Sequence, residues 1–412
     1  MLDPRPYTPQ DQLTLWMLTD PVRPVRVGQL SLVLGGQGVA LQYDPSWLAV
    51  GYALSEDLPL VDTLFMPAHK QEAVGAVDDA RPDRWGERVM KKFERSPRLS
   101  LLEQLLFAGG DRYGALGVSQ RADVYQAWPT SPMPLLGDLM TMHEVVRKVM
   151  ANEPVSLLEQ RLLRPGVSLG GARPKSLIEI DGEPWLVKFS EGEDEDTPLI
   201  EHAAMTLAAR CGIQVATTRA LPVGDRHAVA VRRFDRVGGH RVHVISARVA
   251  LRAAHEEPGY PQFSQLLRRL LPAQDIAAAQ AQLFRRMVFN ILMDNTDDHE
   301  KNHALMRRAD GFWALSPAFD VVPSLSGLGY QAMEIGREGT VSSLDNALSA
   351  CASYGLKLPA ARAIIHDVAQ VIGGWQAHFR ACGVRDSDIA LLAQYLDGGV
   401  PGQLRRSVNS RP

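Results

Sequence analysis

Two short stretches of the chain concentrate side chains able to move a phosphoryl group. The first reads Asn295-Thr296-Asp297-Asp298-His299-Glu300-Lys301-Asn302, and eighteen residues beyond Asn302 stands Asp320, closing Pro317-Ala318-Phe319-Asp320. Phosphoryl transfer from a nucleoside triphosphate needs a carboxylate to orient and deprotonate the attacking hydroxyl. It also needs oxygen ligands for the magnesium that bridges the phosphates. An Asp, an Asn five positions on and a second Asp shortly after supply that set. Asp297 and Asn302 have the five-residue spacing whereas Asp298 and Asn302 have four, so Asp297 is the candidate base, with Asn302 and Asp320 as candidate metal ligands. A polar helix end with its caps and turns also collects Asp and Asn, but that leaves the second Asp, after the short β-like segment 311–315, without a reason. The run from His299 to His303 also fits the spacing of a zinc-hydrolase helix, HExxH. A zinc site would need His299, Glu300 and His303 on one helix face. The preceding Asn-Thr-Asp-Asp text suggests a loop, and zinc gives no work to Asp297, Asn302 or Asp320.

The same chemistry requires phosphate contacts upstream. Ser168-Leu169-Gly170-Gly171-Ala172-Arg173-Pro174-Lys175 precedes a strand, and small residues there let backbone N–H groups approach phosphate oxygens. Glycines before a strand are also ordinary turn formers. Lys188 ends the second strand of the hairpin that follows, and Glu201 lies thirteen residues later in the next helix. The order of glycine loop, strand lysine and helix glutamate matches the lobe in which the lysine holds the α/β-phosphates and the glutamate orients it. Taken singly, Lys188 could be a surface strand residue, and Glu201 a first-turn acid favoured by the helix dipole.

The elements that must position these residues are legible from patterning. Residues 27–43 place two β-prone runs around Gly35-Gly36-Gln37-Gly38, a hairpin with a glycine turn. Helical stretches follow, one carrying Arg84-Trp85-Gly86-Glu87 and one over residues 100–107. Glycine-marked turns then occupy 109–117. A proline-rich stretch at 129–135 precedes an amphipathic helix with Leu139, Met142, Val145, Val146 and Val149 on one face. A second hairpin is expected from 176–180 and 185–189, turning through Asp181-Gly182-Glu183-Pro184. The acidic run 191–196 reads as a solvated loop. It leads to a helix beginning near Pro198 with Ile200, Ala203, Ala204, Leu207 and Cys211 at helical spacing, and then to a strand over 228–231. From about 240 the chain is mostly helical, most strongly over 275–293, with Ile276, Leu283, Phe284, Met287, Val288, Ile291 and Leu292 on the buried side.

With 412 residues, 45% hydrophobic and 22% charged, the chain is close to the globular average and has room for two or three domains. Disordered and collagen-like readings fail. The formal net charge of −3 argues against holding nucleic acid by bulk electrostatics. Cys211, Cys351 and Cys382 are widely separated and form no CxxC pair, which excludes a disulfide framework and a cysteine zinc site. Neither a secretory leader nor a run of roughly 20 apolar residues is visible. A cytoplasmic protein with no membrane contact is expected.

The motifs together resemble a known family. SLGGARPK, WLVKF, VRRFDR at 231–236, FNILMDNTDDHEKNHAL at 289–305 and LSPAFDVVPS at 315–324 are similar to the HipA-like serine/threonine kinases, the toxins of bacterial type II toxin–antitoxin pairs. YDPSWL at 43–48 and GDRYGAL at 110–116 resemble that family's first subdomain. The resemblance spans nearly the whole chain. It implies an α+β, two-lobed protein-kinase-like fold, distantly like phosphoinositide-3-kinases, with an N-terminal β-rich subdomain at 1–130, an ATP-binding N-lobe at 131–238 and a mainly helical catalytic C-lobe at 239–412. It implies ATP and Mg2+ as cofactors, with Asp297 as catalytic base and Asn302 and Asp320 on the metal. Ser168, Gly170, Gly171, Ala172, Lys188, Glu201, Phe234, Asp235 and His299 become nucleotide contacts or their support, with Ser168 also the autophosphorylated residue. Arg232 stands where several members carry a glutamate. Hinge bonds are mostly main-chain, so ATP binding is expected to survive that change.

The implied function is an ATP- and Mg-dependent protein serine/threonine kinase that arrests bacterial growth. The implied partners are a helix-turn-helix, HipB-like antitoxin and a protein substrate such as an aminoacyl-tRNA synthetase, with DNA met only through the antitoxin. Two alternatives use the same residues: a small-molecule phosphotransferase, and a non-catalytic partner of the antitoxin. The last would be betrayed by a missing lysine or metal ligand, and this sequence carries all of them.

Overall fold

The computed structural model describes residues 7–94, 96–128, 131–166 and 171–409. The sequence-expected Ser168 and Gly170 lie outside the described residues. The chain divides into two compact units, one of residues 1–186 with 235–245 and one of residues 187–234 with 246–412.

The first unit is built on an antiparallel sheet in the order Leu64–Phe65, Gly38–Tyr43, Val25–Val33, Gln12–Met17, Leu116–Ser119, with Glu72–Ala73 added parallel to Gly38–Tyr43. The expected hairpin is present, closing at Val33 opposite Gly38. The strand Gln12–Met17 buries five of its six residues, and Trp16 Nε1 donates to Ser119 Oγ at 2.8 Å to fix the neighbouring strand. Helix Leu101–Phe107 is buried along its whole length and starts with a reciprocal capping box between Ser100 and Glu103. Helix Leu139–Met150 buries Leu139, Met142, Val145, Val146 and Val149, the face expected from spacing.

Helix Arg84–Phe93 matters most for the glycine-rich segment. Asp83 caps it, Oδ1 accepting from Gly86 N at 2.8 Å, while its Oδ2 accepts from Lys175 Nζ at 2.9 Å. Both side chains of that ion pair are at least 96% buried, with 4% and 3% exposure. Trp85 Nε1 donates to the Lys175 carbonyl at 2.8 Å. A Cβ on Gly86 would stand 2.1 Å from the Pro165 carbonyl oxygen, so only glycine permits this approach. The helix therefore grips the chain on both sides of 167–170. Lys175–Ile180 and Glu183–Lys188 form the second hairpin. It turns through Asp181 and Gly182 alone, at φ +55° and +77°. Two successive left-handed residues make the two-residue turn whose twist suits a hairpin, so Glu183 and Pro184 join the strand rather than the expected four-residue turn.

In the second unit, helix Thr197–Arg210 carries an almost continuous buried surface and packs on the hairpin Thr218–Val223 with Arg226–Arg232. The 20-residue helix Ala273–Leu292 is the central element, flanked by Tyr260–Leu270 and Leu358–Ile372. Phe284, Met287, Val288, Phe289, Ile291 and Leu292 are each at most 1% exposed, and each such side chain contributes about 1.5–3 kcal/mol of transfer free energy. Its C-terminal carbonyl at Leu292, without an intrahelical partner, accepts from Arg405 Nη1 at 3.0 Å. The site loop follows, then the hairpin Ala304–Arg307 with Trp313–Leu315. No helix among the described residues is long and apolar enough to cross a membrane.

Breaking a buried ion pair by removing one partner costs about 3–5 kcal/mol, and Asp83 also serves as a helix cap. Asp83→Ala is therefore expected to lower unfolding stability by at least about 3 kcal/mol in urea titration. A midpoint within error of wild type would show that the pair and cap carry no weight.

Candidate active site

Two residues beyond helix Ala273–Leu292 the chain turns sharply: Asp294 has φ +51°. Its carbonyl accepts from Ser324 N at 2.9 Å and its Oδ2 from Gly327 N at 3.2 Å. Ser324 Oγ in turn accepts from the backbone of Thr296 at 2.9 Å and Asp297 at 3.3 Å. The loop is thus braced by the segment that follows Asp320.

The adjacent carboxylates differ completely. Asp297 is exposed. Asp298 is 2% exposed, and its Oδ2 accepts from Tyr260 Oη, from Asn290 Nδ2 at 2.8 Å and from His303 Nε2 at 2.8 Å. Burial alone would raise the Asp298 pKa, but the charge and hydrogen bonds of His303 and the Tyr260 hydroxyl hold it below the ordinary carboxylate value. Burial beside this carboxylate pushes the Tyr260 phenol far up. Of the two carboxylates, Asp297 is the one open to solvent.

Residues Glu300–Asn302 form one 3₁₀ turn, capped by His299 through Nδ1, which accepts from Lys301 N at 3.2 Å. His299 is half-buried. The helix that a zinc HExxH site needs is absent here, and His303 is committed to Asp298. Among the described residues no group of three or more His, Cys, Asp and Glu side chains could hold a metal ion. Asn302 is 5% exposed and donates through Nδ2 to the Asp297 carbonyl at 3.3 Å. That bond orients the amide, and its buried Oδ1 has no hydrogen-bond partner. An orphaned buried acceptor costs free energy unless a ligand completes it.

Lys188 joins the remaining residues. Its Nζ donates to Glu201 Oε1 at 2.7 Å and to Asp320 Oδ1 at 2.6 Å, with side-chain exposures of 7%, 3% and 25%. Burial pulls the ammonium pKa down, but the two carboxylates outweigh it and hold Lys188 above the ordinary lysine value. Asp320 adopts φ +58°, a conformation that Asp tolerates better than most residues but still at a cost. Phe319 beside it meets Phe234 with ring centroids 5.5 Å apart. Asn302, His303 and Arg286 line one small cavity together with Ala318, Phe319 and Val321, the sequence neighbours of Asp320. The oxygen donors of Asn302 and Asp320, one an orphan, fit a hard divalent cation such as magnesium.

The remaining expected residues lie in the other unit. Gly171 has φ +99°, and a Cβ there would come within 2.7 Å of Lys175 Nζ; Ala172 is exposed. Asp235 is wholly buried, and its Oδ2 accepts from Gly114 N at 2.8 Å and Arg236 Nη1 at 2.7 Å. The bond from Gly114 N ties this carboxylate to the 110–116 segment. Tyr260 and Asn290, which complete the Asp298 cluster, have no sequence signal that marks them.

Residues 167–375 match the family model of the HipA-like C-terminal domain, and residues 22–119 that of the HipA N-terminal domain. Two Sinorhizobium fredii proteins are similar in sequence. Putative kinase Y4dM is 29% identical over 178 residues, 40% of this chain and 44% of that protein. Putative kinase Y4mE is 29% identical over 214 residues, 43% of this chain and 48% of that protein. The chain thus spans less than half the length of the curated relatives it matches. The structure of Shewanella oneidensis MR-1 HipA, solved in a toxin–antitoxin complex with HipB and operator DNA, superposes with a TM-score of 0.67 over 96% of each chain at 18% identity. The α+β fold is the one this HipA adopts.

The lysine between two carboxylates makes a specific prediction. Lys188→Met leaves Glu201 and Asp320 without their cation and should destabilise the chain by about 3 kcal/mol. Adding Glu201→Gln should recover part of that loss, because the excess buried charge is gone. Thermal or urea unfolding of both variants checks this; a double variant no more stable than Lys188→Met would contradict it.

Proposed function

The chain belongs to the HipA-like family, and on that premise we propose that it is an ATP- and Mg-dependent protein serine/threonine kinase acting as the toxin of a toxin–antitoxin pair. The observation that carries this reading is the Lys188 ammonium held between Glu201 and Asp320 at 2.7 and 2.6 Å. A positioned lysine beside a metal-ligand Asp is what nucleotide phosphates require.

In this reading Lys188 binds the α/β-phosphates and Glu201 aims it. The segment with Ser168, Gly170, Gly171 and Ala172 contributes backbone donors to the phosphates. Asn302 and Asp320 hold Mg2+, which when bound neutralises the charge on the β- and γ-oxygens. Asp297, exposed beside the buried Asp298, accepts the proton of the acceptor hydroxyl. His299, half-exposed, is assigned as a further phosphate contact. Phe234 packs near Asp320 through Phe319 and supports the nucleotide there, while Asp235 braces the chain through Gly114. Residues 131–238 are assigned to nucleotide binding and 239–412 to catalysis.

The proposed partner is a helix-turn-helix antitoxin, since the similar HipA assembles with HipB and operator DNA. With a net charge of −3, contact with DNA is assigned to that antitoxin. The substrate is a cytoplasmic protein, of which an aminoacyl-tRNA synthetase is the first to assay. Ser168 is proposed as the autophosphorylation site. A phosphate there adds a charge of about −1.5 to −2 where ATP phosphates must sit, so modification should switch the kinase off.

Asp297→Asn should reduce phosphoryl transfer roughly 10²–10⁴-fold with little change in nucleotide affinity, and should relieve growth arrest when the chain is induced in bacteria. Transfer and arrest undiminished in the variant would refute the assignment. After incubation with Mg-ATP, peptide mass spectrometry should find phosphate on Ser168 in the wild type and none in Asp297→Asn. An unmodified Ser168 in an enzyme that phosphorylates other proteins would remove the self-limiting step.

A further inference from the structure

Asp298 receives three donors from three elements: the first residue of helix Tyr260–Leu270, the last turn of helix Ala273–Leu292, and the residue after the 3₁₀ turn. Asn290, one of these donors, also holds the start of the loop. Its carbonyl accepts from Asn295 N at 2.9 Å and its Oδ1 from Asn295 Nδ2 at 3.1 Å. At the other end, the His303 ring lies edge-on to Tyr260 with centroids 5.4 Å apart and 6.0 Å from Phe263. The His303 carbonyl accepts from Ala247 N at 2.8 Å. One buried oxygen therefore ties both ends of the segment 295–303. Asp297 and Asn302 lie between those ends, joined by the bond from Asn302 Nδ2 to the Asp297 carbonyl.

A turn that only had to be buried could be filled with apolar side chains at no loss of stability. What a hydrogen-bonded carboxylate adds is a single geometry. Asn302 follows this geometry closely, because it immediately precedes His303 and lines the same small cavity.

We propose that Asp298 is a positioning residue which, through His303, fixes the Asn302 amide so that Oδ1 is presented to the divalent cation. The inference rests on the kinase reading above. Asp298 itself touches neither metal nor substrate. It sets the place of the ligand, as partners behind metal ligands commonly do, and losing such a partner typically lowers metal affinity 10–100-fold.

The test uses the full chain with ATP and Mn2+ as the metal probe, followed by electron paramagnetic resonance, with metal-free ATP affinity measured separately. His303→Phe keeps an aromatic ring between Tyr260 and Phe263 but removes the donor. It should weaken Mn2+ binding about tenfold and leave metal-free ATP affinity unchanged. Asp298→Leu with His303→Phe replaces the pair by apolar groups, protecting the fold, and should show the same metal loss. Asp298→Asn keeps an acceptor oxygen and should recover most of the affinity. Wild-type Mn2+ affinity in both His303→Phe and the double variant would overturn the positioning role while leaving the kinase reading intact. Failure of the wild type itself to bind Mn2+ with ATP would overturn both.

Discussion

A cation buried between two carboxylates is the constraint around which the candidate site is organised. Lys188 has little access to water, so its charge is tolerable only while Glu201 and Asp320 are held against it. Each partner comes from a different element: a strand end, a helix whose surface is almost entirely buried, and a residue in a left-handed conformation after a short hairpin. None of the three could relax alone. Burial by itself would strip the proton from the lysine; it is the two carboxylates, strengthened by the same low-dielectric setting, that keep it charged.

The loop carrying Asp297 shows a complementary use of burial. Two identical side chains adjacent in sequence are driven to opposite fates, one into a cluster of three donors and one to the surface. The division follows from the turn at Asp294 and the serine that braces Thr296 and Asp297. Asn302 stands between these extremes, buried and oriented but with one acceptor left over.

Local relations were the readable ones. The spacing from Asp297 to Asn302 lies within one tight turn, and the hairpins at 27–43 and 175–188 are fixed by neighbours a few residues apart, so pattern sufficed. Even there the second turn is shorter than its composition suggests, because Asp181 accepts a left-handed conformation. Relations across long separations were opaque. Tyr260 lies 38 residues from Asp298 and Asn290 eight, and neither residue type carries a signature when found in a helix. Asp235 stands in VRRFDR, and nothing in that text shows that Gly114, 121 residues away, donates to it. The strand Leu116–Ser119 sits in glycine-rich text that reads as turns. Only pairing with Gln12–Met17 makes it a strand.

The grip of helix Arg84–Phe93 on Pro165 and Lys175 has a consequence for how the chain can be divided. A fragment starting near residue 131 would begin at the proline-rich stretch, where a cut looks natural. It would keep Lys175 but discard Asp83, Trp85 and Gly86. The ammonium would lose its counter-ion, the Lys175 carbonyl its indole donor, and Pro165 the glycine it rests against. Asp83, Trp85 and Gly86 thus support Pro165 and Lys175 from a distant part of the sequence. Asp83 and Lys175, a buried ion pair, are bound to each other across that separation, and Gly86 to Pro165.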